Sequence, residues 1–496
     1  MRCVQPGDPD YEADRRIANA RFNYRPRYIC YCDTPGDVPL ALQKAKTEKL
    51  AIRIRSGGHH HEGMCSGDGV LMIDLSKLNT ITLSGDRRSA RIGVGAKLGD
   101  VYAALLASNR ILPGGGCGDV RVGGLVQGGG WGLYARALGL TCDNVLGFRI
   151  FLASGEVRDV GADGAAPGTL FWAVCGGGGG NFGVVTEFEI KLAEVPSPFW
   201  QFTLTWDHAA WRQPVIEDWR ANFPDADAGL TTFCRVSAVR SDDPPIIVAG
   251  NYLGDEARLV ETLARLLPRT FLGCTQEISP VLAAAPEAAE ASEATQPSDA
   301  TTPLTPAARR AFHHPQYQPG PPRLAAGGMA AAVEGPPAQT CDGGYYPHKV
   351  SSCFPRSTFS AEGTRVITEF LDGQPAEPAA RRYLSLHGLG GAVGNPQASR
   401  RSCYAFRDKA FMLQYQAWWG DPADKALEQR CLDWVRGFRL TLEHGGFTEG
   451  SFINFPDRDL PLVAYYGADN LKSLMQVKRQ YDPGNLFGFP MGIPTQ

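Results

Sequence analysis

The 496-residue chain contains no apolar run of about 18 residues, the length a membrane-crossing helix needs. Its first residues, Met1-Arg2-Cys3-Val4-Gln5-Pro6-Gly7-Asp8, lack the apolar core of a secretory signal. The expectation is a soluble, cytoplasmic protein with no membrane partner. Net charge is scarce too: 49 Lys and Arg against 52 Asp and Glu leave −3, and the pI is near 6.3. No basic stripe interleaved with aromatics is present, so nucleic acid is not an expected partner. The 13 cysteines make no CxxC pair and no metal-like spacing. Cys30 and Cys32 flank Tyr31 in a predicted strand and read as packing residues, which favours reduced thiols over disulfides.

Glycine, by contrast, is abundant, 58 residues of 496, and concentrated between residues 57 and 183. Soluble proteins average about 7 %. The length exceeds one ordinary core, so two domains are expected. The stretch Arg53-Ile54-Arg55-Ser56-Gly57-Gly58-His59-His60-His61-Glu62-Gly63 follows the apolar run from Leu50 to Ile54. It reads as a strand emptying into a glycine turn, where backbone N–H groups and the Arg55 charge suit a phosphate and a following histidine reaches what the phosphate carries. A polar turn with three solvated histidines fits that stretch equally well. Three successive histidines are a poor metal site, because neighbouring side chains diverge and no further ligand set is evident.

Taken in order, a polar arm expected to be mobile runs to about residue 20, and helical spacing over 37–45 precedes the strand at 50–54. Residues 70–75 and 90–94 read as strands, 97–108 as a helix, and 148–160 as a hairpin around Ser154-Gly155. Gly93-Val94-Gly95-Ala96-Lys97-Leu98-Gly99 misses the dinucleotide fingerprint by one residue and reads as a strand-to-helix turn. A strand over 184–192 ends near Pro196 and Pro198, the expected domain boundary. Strands at 203–206, 231–236, 246–252 and 411–419, with helices near 208–221, 255–267 and 423–443, predict a sheet covered by helices. Residues 276–340, rich in Ala, Pro, Ser and Thr, favour loops and short helices, either a lid or an inert insertion.

Several ordered motifs share one spacing. They are Arg55-Ser56-Gly57-Gly58-His59, Gly114-Gly115-Gly116-Cys117-Gly118, Val122-Gly123-Gly124-Leu125-Val126-Gln127-Gly128-Gly129-Gly130-Trp131-Gly132, Asp143-Asn144-Val145, Asn181-Phe182-Gly183-Val184-Val185-Thr186, and Tyr481-Asp482-Pro483-Gly484-Asn485-Leu486-Phe487. Together they resemble the FAD-linked oxidases of the vanillyl-alcohol oxidase superfamily, and among them the berberine bridge enzyme-like group. The resemblance is close over residues 23–193, looser over the last hundred, and slight between. It implies an α+β fold with a two-subdomain PCMH-type FAD-binding domain and a substrate domain whose antiparallel sheet is covered by helices. The implied divisions are an arm at 1–22, the FAD domain at 23–195, the substrate domain at 196–448, and a C-terminal segment at 449–496 that returns to the FAD domain.

The resemblance also implies chemistry. His59 stands where the family attaches the flavin 8α-methyl group, and Cys117 where bicovalent members attach C6; His60 and His61 are then bystanders. The cofactor-binding set it implies is Arg55, Ser56, Gly57, Gly58, His59, Cys117, Val120, Gly123, Gly124, Gly128, Gly129, Gly130, Trp131, Asp143, Asn144, Gly183, Val184, Val185 and Asn485. Val120, three after the cysteine, is the position that admits O2, so the implied partners are a small-molecule substrate and O2. The family's tyrosine base is replaced, since the segment reads Phe452-Ile453-Asn454-Phe455; Leu125 and Arg121 also depart from the pattern. Tyr415, Tyr404 and His348 become the candidates for the base, with Gln414 and Gln416 beside them. The leading expectation is oxidation of a CH–OH group of a sugar-like or natural-product alcohol with release of H2O2. A tailoring oxidase acting on a C–H or C–N bond is the alternative, and a flavin-binding protein without catalysis the third.

Overall fold

The computed structural model of the chain describes residues 1–195, 199–238, 245–281, 346–357 and 359–496. In the N-terminal third the strands Tyr28–Tyr31, Leu71–Asp74 and Ile52–Arg55 pair in parallel. Leu71–Asp74, in the middle, is buried at every residue, as a parallel strand covered on both faces should be. The helix Asp37–Thr47 turns Val38, Ala41, Leu42 and Ala45 inward, at helical spacing. The arm is not loose. Arg2–Val4 adds an antiparallel edge strand to Tyr28–Tyr31, with Cys3 directly opposite Cys30, and the two cysteines form a disulfide. This corrects the expectation of reduced packing thiols: residues in register on adjacent strands carry their Cβ atoms within bridging range.

A second sheet, antiparallel, runs in the order Ile81–Leu83, Ser89–Gly93, Val184–Lys191, Val145–Phe151, Val157–Gly161. Its last pair is the expected hairpin, and Gly155 takes a φ of +93° at the turn. Third comes an eight-stranded antiparallel sheet in the order Thr275–Val281, Phe199–Trp206, Ile246–Tyr252, Leu230–Ser237, Ala380–Gly388, Phe411–Trp419, His348–Pro355, Thr448–Glu449. One face packs on the helices Arg212–Asn222, Glu256–Leu266, Ala361–Asp372 and Lys425–His444 through a core that includes Cys234, Leu386, Leu413, Tyr415 and Trp219. The other face looks toward the glycine-rich half. Residues 276–281, expected in a loop-like insertion, instead belong to the edge strand Thr275–Val281, paired with Phe199–Thr205. The remainder of that insertion lies outside the described residues, as do Pro196 and Pro198.

The last segment closes the structure. Within the helix Val463–Tyr481, Lys478 donates to Asn181 O at 2.7 Å and to Asp482 Oδ2 at 2.7 Å, both carboxylate and ammonium being fully buried. Lys349, on the eight-stranded sheet, bonds Glu62 Oε1 at 2.6 Å and Asp457 Oδ1 at 2.5 Å. Arg21 and Arg458 each reach Glu62 Oε2 at 2.8 Å. Three distant parts of the chain therefore meet at one buried charge cluster. No helix among the described residues is long and apolar enough to cross a membrane.

Candidate active site

A cleft of about 340 Å³ lies between the glycine-rich half and the polar face of the eight-stranded sheet. On the first wall, Ile52–Arg55 empties into Ser56, Gly57, Gly58 and His59, all lining the cleft, and Gly58 holds a φ of +74° that only glycine adopts readily. Burial pushes the His59 imidazole toward its neutral form, and its Nδ1 is a buried atom with no hydrogen-bond partner. Cys117, Val120, Gly124 and Gly128 line the same cleft, as do Gly178, Gly179 and Gly180. A Cβ at Gly128 would stand 2.1 Å from Asn454 Nδ2, so bare backbone is required where the C-terminal segment docks. Asn454 completes that contact by accepting the Gly130 N–H at 2.9 Å.

Other members of the expected set hold the wall up from behind. Arg55 is corrected outright: it pairs with Asp74, its register partner on the next strand, and donates to Asp14 O at 2.6 Å, so it is not among the cleft residues. Arg53 and Arg121 stand in the cleft instead. Gly123 packs against Ser56 and Val94, Gly129 against Phe452, and Gly130 against Thr141. Asp143 is locked in a two-pronged ion pair with Arg407, at 2.7 and 2.6 Å, and Asn144 donates to the carbonyls of Leu138 and Leu140. Val184 and Val185 begin a core strand that Gly183 immediately precedes, and Asn485 shapes a turn with a φ of +51°. Trp131 does reach the cleft, donating its indole N–H to Gly388 O at 2.7 Å.

On the second wall the period of two decides which side chains face inward. Along Phe411–Trp419, Gln414, Gln416 and Trp418 line the cleft, whereas Tyr415 faces the helices, its hydroxyl 3.1 Å from Cys353 Sγ and its ring against Phe438. Tyr404 also lies outside the cleft, packed among Phe354, Phe406 and Phe452. Neither tyrosine stands where a base is needed. His348 is in the cleft, stacked on Trp418 at 4.0 Å. Its Nδ1 lies 2.9 Å from Tyr346 O, and a carbonyl only accepts, so Nδ1 carries the proton; Nε2 then accepts from His61 Nδ1 at 2.9 Å. Burial holds His348 well below the ordinary histidine pKa.

The inward face carries residues that motif reading missed: His387, Ser385 and Arg235. Their hydrogen-bond directions follow from one group that cannot accept. Trp418 Nε1 donates to Gln416 Oε1 at 3.1 Å, which leaves Gln416 Nε2 to donate to Gln414 Oε1 at 2.8 Å. That same oxygen lies 2.7 Å from His387 Nε2, so His387 Nε2 is the protonated nitrogen and Nδ1 bears the lone pair. Burial, aided by the Arg235 charge, lowers the His387 pKa to about 3. Polar residues at every second place, Tyr383, Ser385 and His387, were the available signal in the sequence.

The donor set and the bare backbone fit a flavin dinucleotide: arginines for phosphates, glycines for close approach, and a partnerless imidazole nitrogen beside a cleft that also holds a thiol. Comparisons with known proteins agree. Residues 26–161 match the family model "FAD binding domain", and residues 451–494 match "Berberine and berberine like". The FAD-linked oxidoreductase YgaK of Bacillus subtilis strain 168, itself uncharacterized, is 30 % identical over 99 % of this chain and 96 % of its own. The BBE-like 1 protein of Physcomitrella patens superposes with a TM-score of 0.80 at 21 % identity, over 100 % of this chain and 97 % of the other. The glucooligosaccharide oxidase of Acremonium strictum, described as bearing a 6-S-cysteinyl, 8α-N1-histidyl FAD, gives 0.79 at 20 % identity, over 100 % and 97 %. At those identities the two structures speak for the fold, while the match to YgaK, end to end, speaks for the family: this chain belongs to the berberine bridge enzyme-like FAD-linked oxidoreductases.

Proposed function

We propose that the cleft holds FAD tethered through His59 Nδ1 and Cys117 Sγ, and that the enzyme oxidises a CH–OH group of a small molecule lying against the eight-stranded sheet. The observation that carries this reading is His59 Nδ1, buried and without a protein partner, in the cleft that Cys117 also lines. Nδ1 is the nitrogen called N1 in the histidyl linkage of the Acremonium oxidase. FAD, when bound, supplies the hydride acceptor and an electron route to O2, with H2O2 as product.

The chain's own residues do the rest. Arg53 and Arg121 offer positive charge to the phosphates, and the glycines at 178–180 let backbone approach closely. Val120 lines the cleft where a larger side chain would take the space O2 needs. His387, with its lone pair fixed on Nδ1 by the Trp418–Gln416–Gln414 series, accepts the hydroxyl hydrogen of the substrate and orients the alcohol.

Acid precipitation tests the attachment. The unmodified protein should precipitate yellow, His59→Ala and Cys117→Ala should each retain flavin through one bond, and the double variant should release it all. Free FAD from the unmodified protein overturns the two-point tether. A peroxide assay across sugars and natural-product alcohols tests the reaction, and rapid reduction by an alcohol without reoxidation in air would make the enzyme a dehydrogenase.

A further inference from the structure

Arg235 sits in the middle of Leu230–Ser237 and lines the cleft, on the same strand face as the core residue Phe233. It is only 9 % exposed. Its guanidinium lies 4.7 Å from the Tyr383 ring centroid and 5.6 Å from that of Phe233, aromatic contacts that hold a planar cation in place. Among the described residues it has neither an ion pair nor a hydrogen bond, and its Nε is buried without a partner. Buried charges are ordinarily paired, because taking an ion out of water costs several kcal/mol that only a partner offsets. Among the described residues of the cleft there is no Asp or Glu to serve as one.

Among the described residues the cleft has three arginines, and they are not equivalent. Arg53 donates to Ile52 O and Gly488 O, and Arg121 to Ser76 O, all carbonyls of the glycine-rich half and the C-terminal segment. Arg235 stands on the opposite wall, the one with the alcohol-orienting groups. The strand register sets it directly across from Ser385, and Ser385 across from Gln414. A planar, fixed guanidinium beside a hydroxyl and an amide is a receptor for a carboxylate, whose two oxygens match the two parallel N–H donors.

We infer that Arg235 binds the carboxylate of the substrate, so that the alcohol oxidised here is a hydroxy acid or another alcohol bearing an anionic group. This rests on the reading that the substrate lies against the eight-stranded sheet. The two are separable by experiment, because anion binding is measured without turnover.

Benzoate, with benzamide as its neutral isostere, is titrated into the purified protein by calorimetry, and its effect on the flavin absorption band is recorded in parallel. Benzoate should bind and benzamide should not. Arg235→Gln should weaken benzoate by at least about 30-fold, the loss typical of removing one partner of a buried charge pair, and Arg235→Lys should retain part of the affinity. Flavin content should stay unchanged in both variants, which separates a substrate role from a cofactor role and reports that the variants fold. Equal binding of benzoate and benzamide, or undiminished benzoate binding by Arg235→Gln, overturns the inference. Loss of flavin from the otherwise folded Arg235→Lys protein overturns it too, by assigning the arginine to the cofactor. A colourless unmodified protein that still binds benzoate through Arg235 would sink the oxidase reading and leave the anion site standing.

Discussion

Tyr415 shows how much one step along a strand decides. Its hydroxyl faces Cys353 and the helix Lys425–His444, in a position that never meets the cleft. Tyr415→Phe should therefore leave the rate of flavin reduction nearly unchanged while lowering stability by about 0.5–1.5 kcal/mol, the worth of one hydrogen bond. Stopped-flow reduction and thermal melting read the two effects separately, and a large loss of rate would mean that the tyrosine reaches the substrate after all. Motif reading singled out His59 and Cys117, both of which line the cleft, because each is a chemical type at a counted distance from glycines. It put Tyr415 among the candidates for the base, with Tyr404 and His348, because residue type says nothing about the phase of the pleat. Arg55 was misplaced for a related reason: only the pairing of its strand with Leu71–Asp74 reveals that Asp74 takes its charge.

At the scale of elements, alternation and turn chemistry were legible, and pairing between distant segments was not. The hairpin over 145–161, the helix at 425–444 and the strand at 411–419 all follow from local pattern. The N-terminal strand does not, since Arg2–Val4 has too few residues to show a period and earns its place through Tyr28–Tyr31 and the Cys3–Cys30 bridge. With a sequence separation of 27 between the bridged positions, the crosslink should contribute about 3–4 kcal/mol by limiting the unfolded chain. Melting with and without a reductant, and of Cys3→Ser, should show the same drop; equal melting temperatures would mean the thiols are reduced in the working protein. The strand Thr275–Val281 is a second case, its Ala- and Pro-rich continuation having hidden seven residues that pair along Phe199–Thr205.

Over the whole molecule, the buried Lys349 ammonium joins Glu62 from the glycine turn to Asp457 from the C-terminal segment. Removing the ammonium leaves the buried Asp457 carboxylate without its cation, while Glu62 keeps Arg21 and Arg458, so Lys349→Met should destabilise by about 3–5 kcal/mol, and neutralising Asp457 as well should recover much of it. Denaturant unfolding of Lys349→Met, Asp457→Asn and the double variant measures this, and additive losses would mean that the two groups do not act as a pair. The same junction bears on biogenesis. Phe452, Asn454, Phe455, Phe487 and Met491 all line the cleft, so a wall of the proposed flavin site comes from residues that leave the ribosome well after the glycine-rich half. The glycine-rich half has time to fold at a synthesis rate of about 5–20 residues per second, but the pocket it contributes to stays open until translation has passed residue 491. Cofactor loading should thus wait for the segment through residue 491, and a ribosome-stalled chain ending before residue 450 should carry no flavin even when the cell is rich in it.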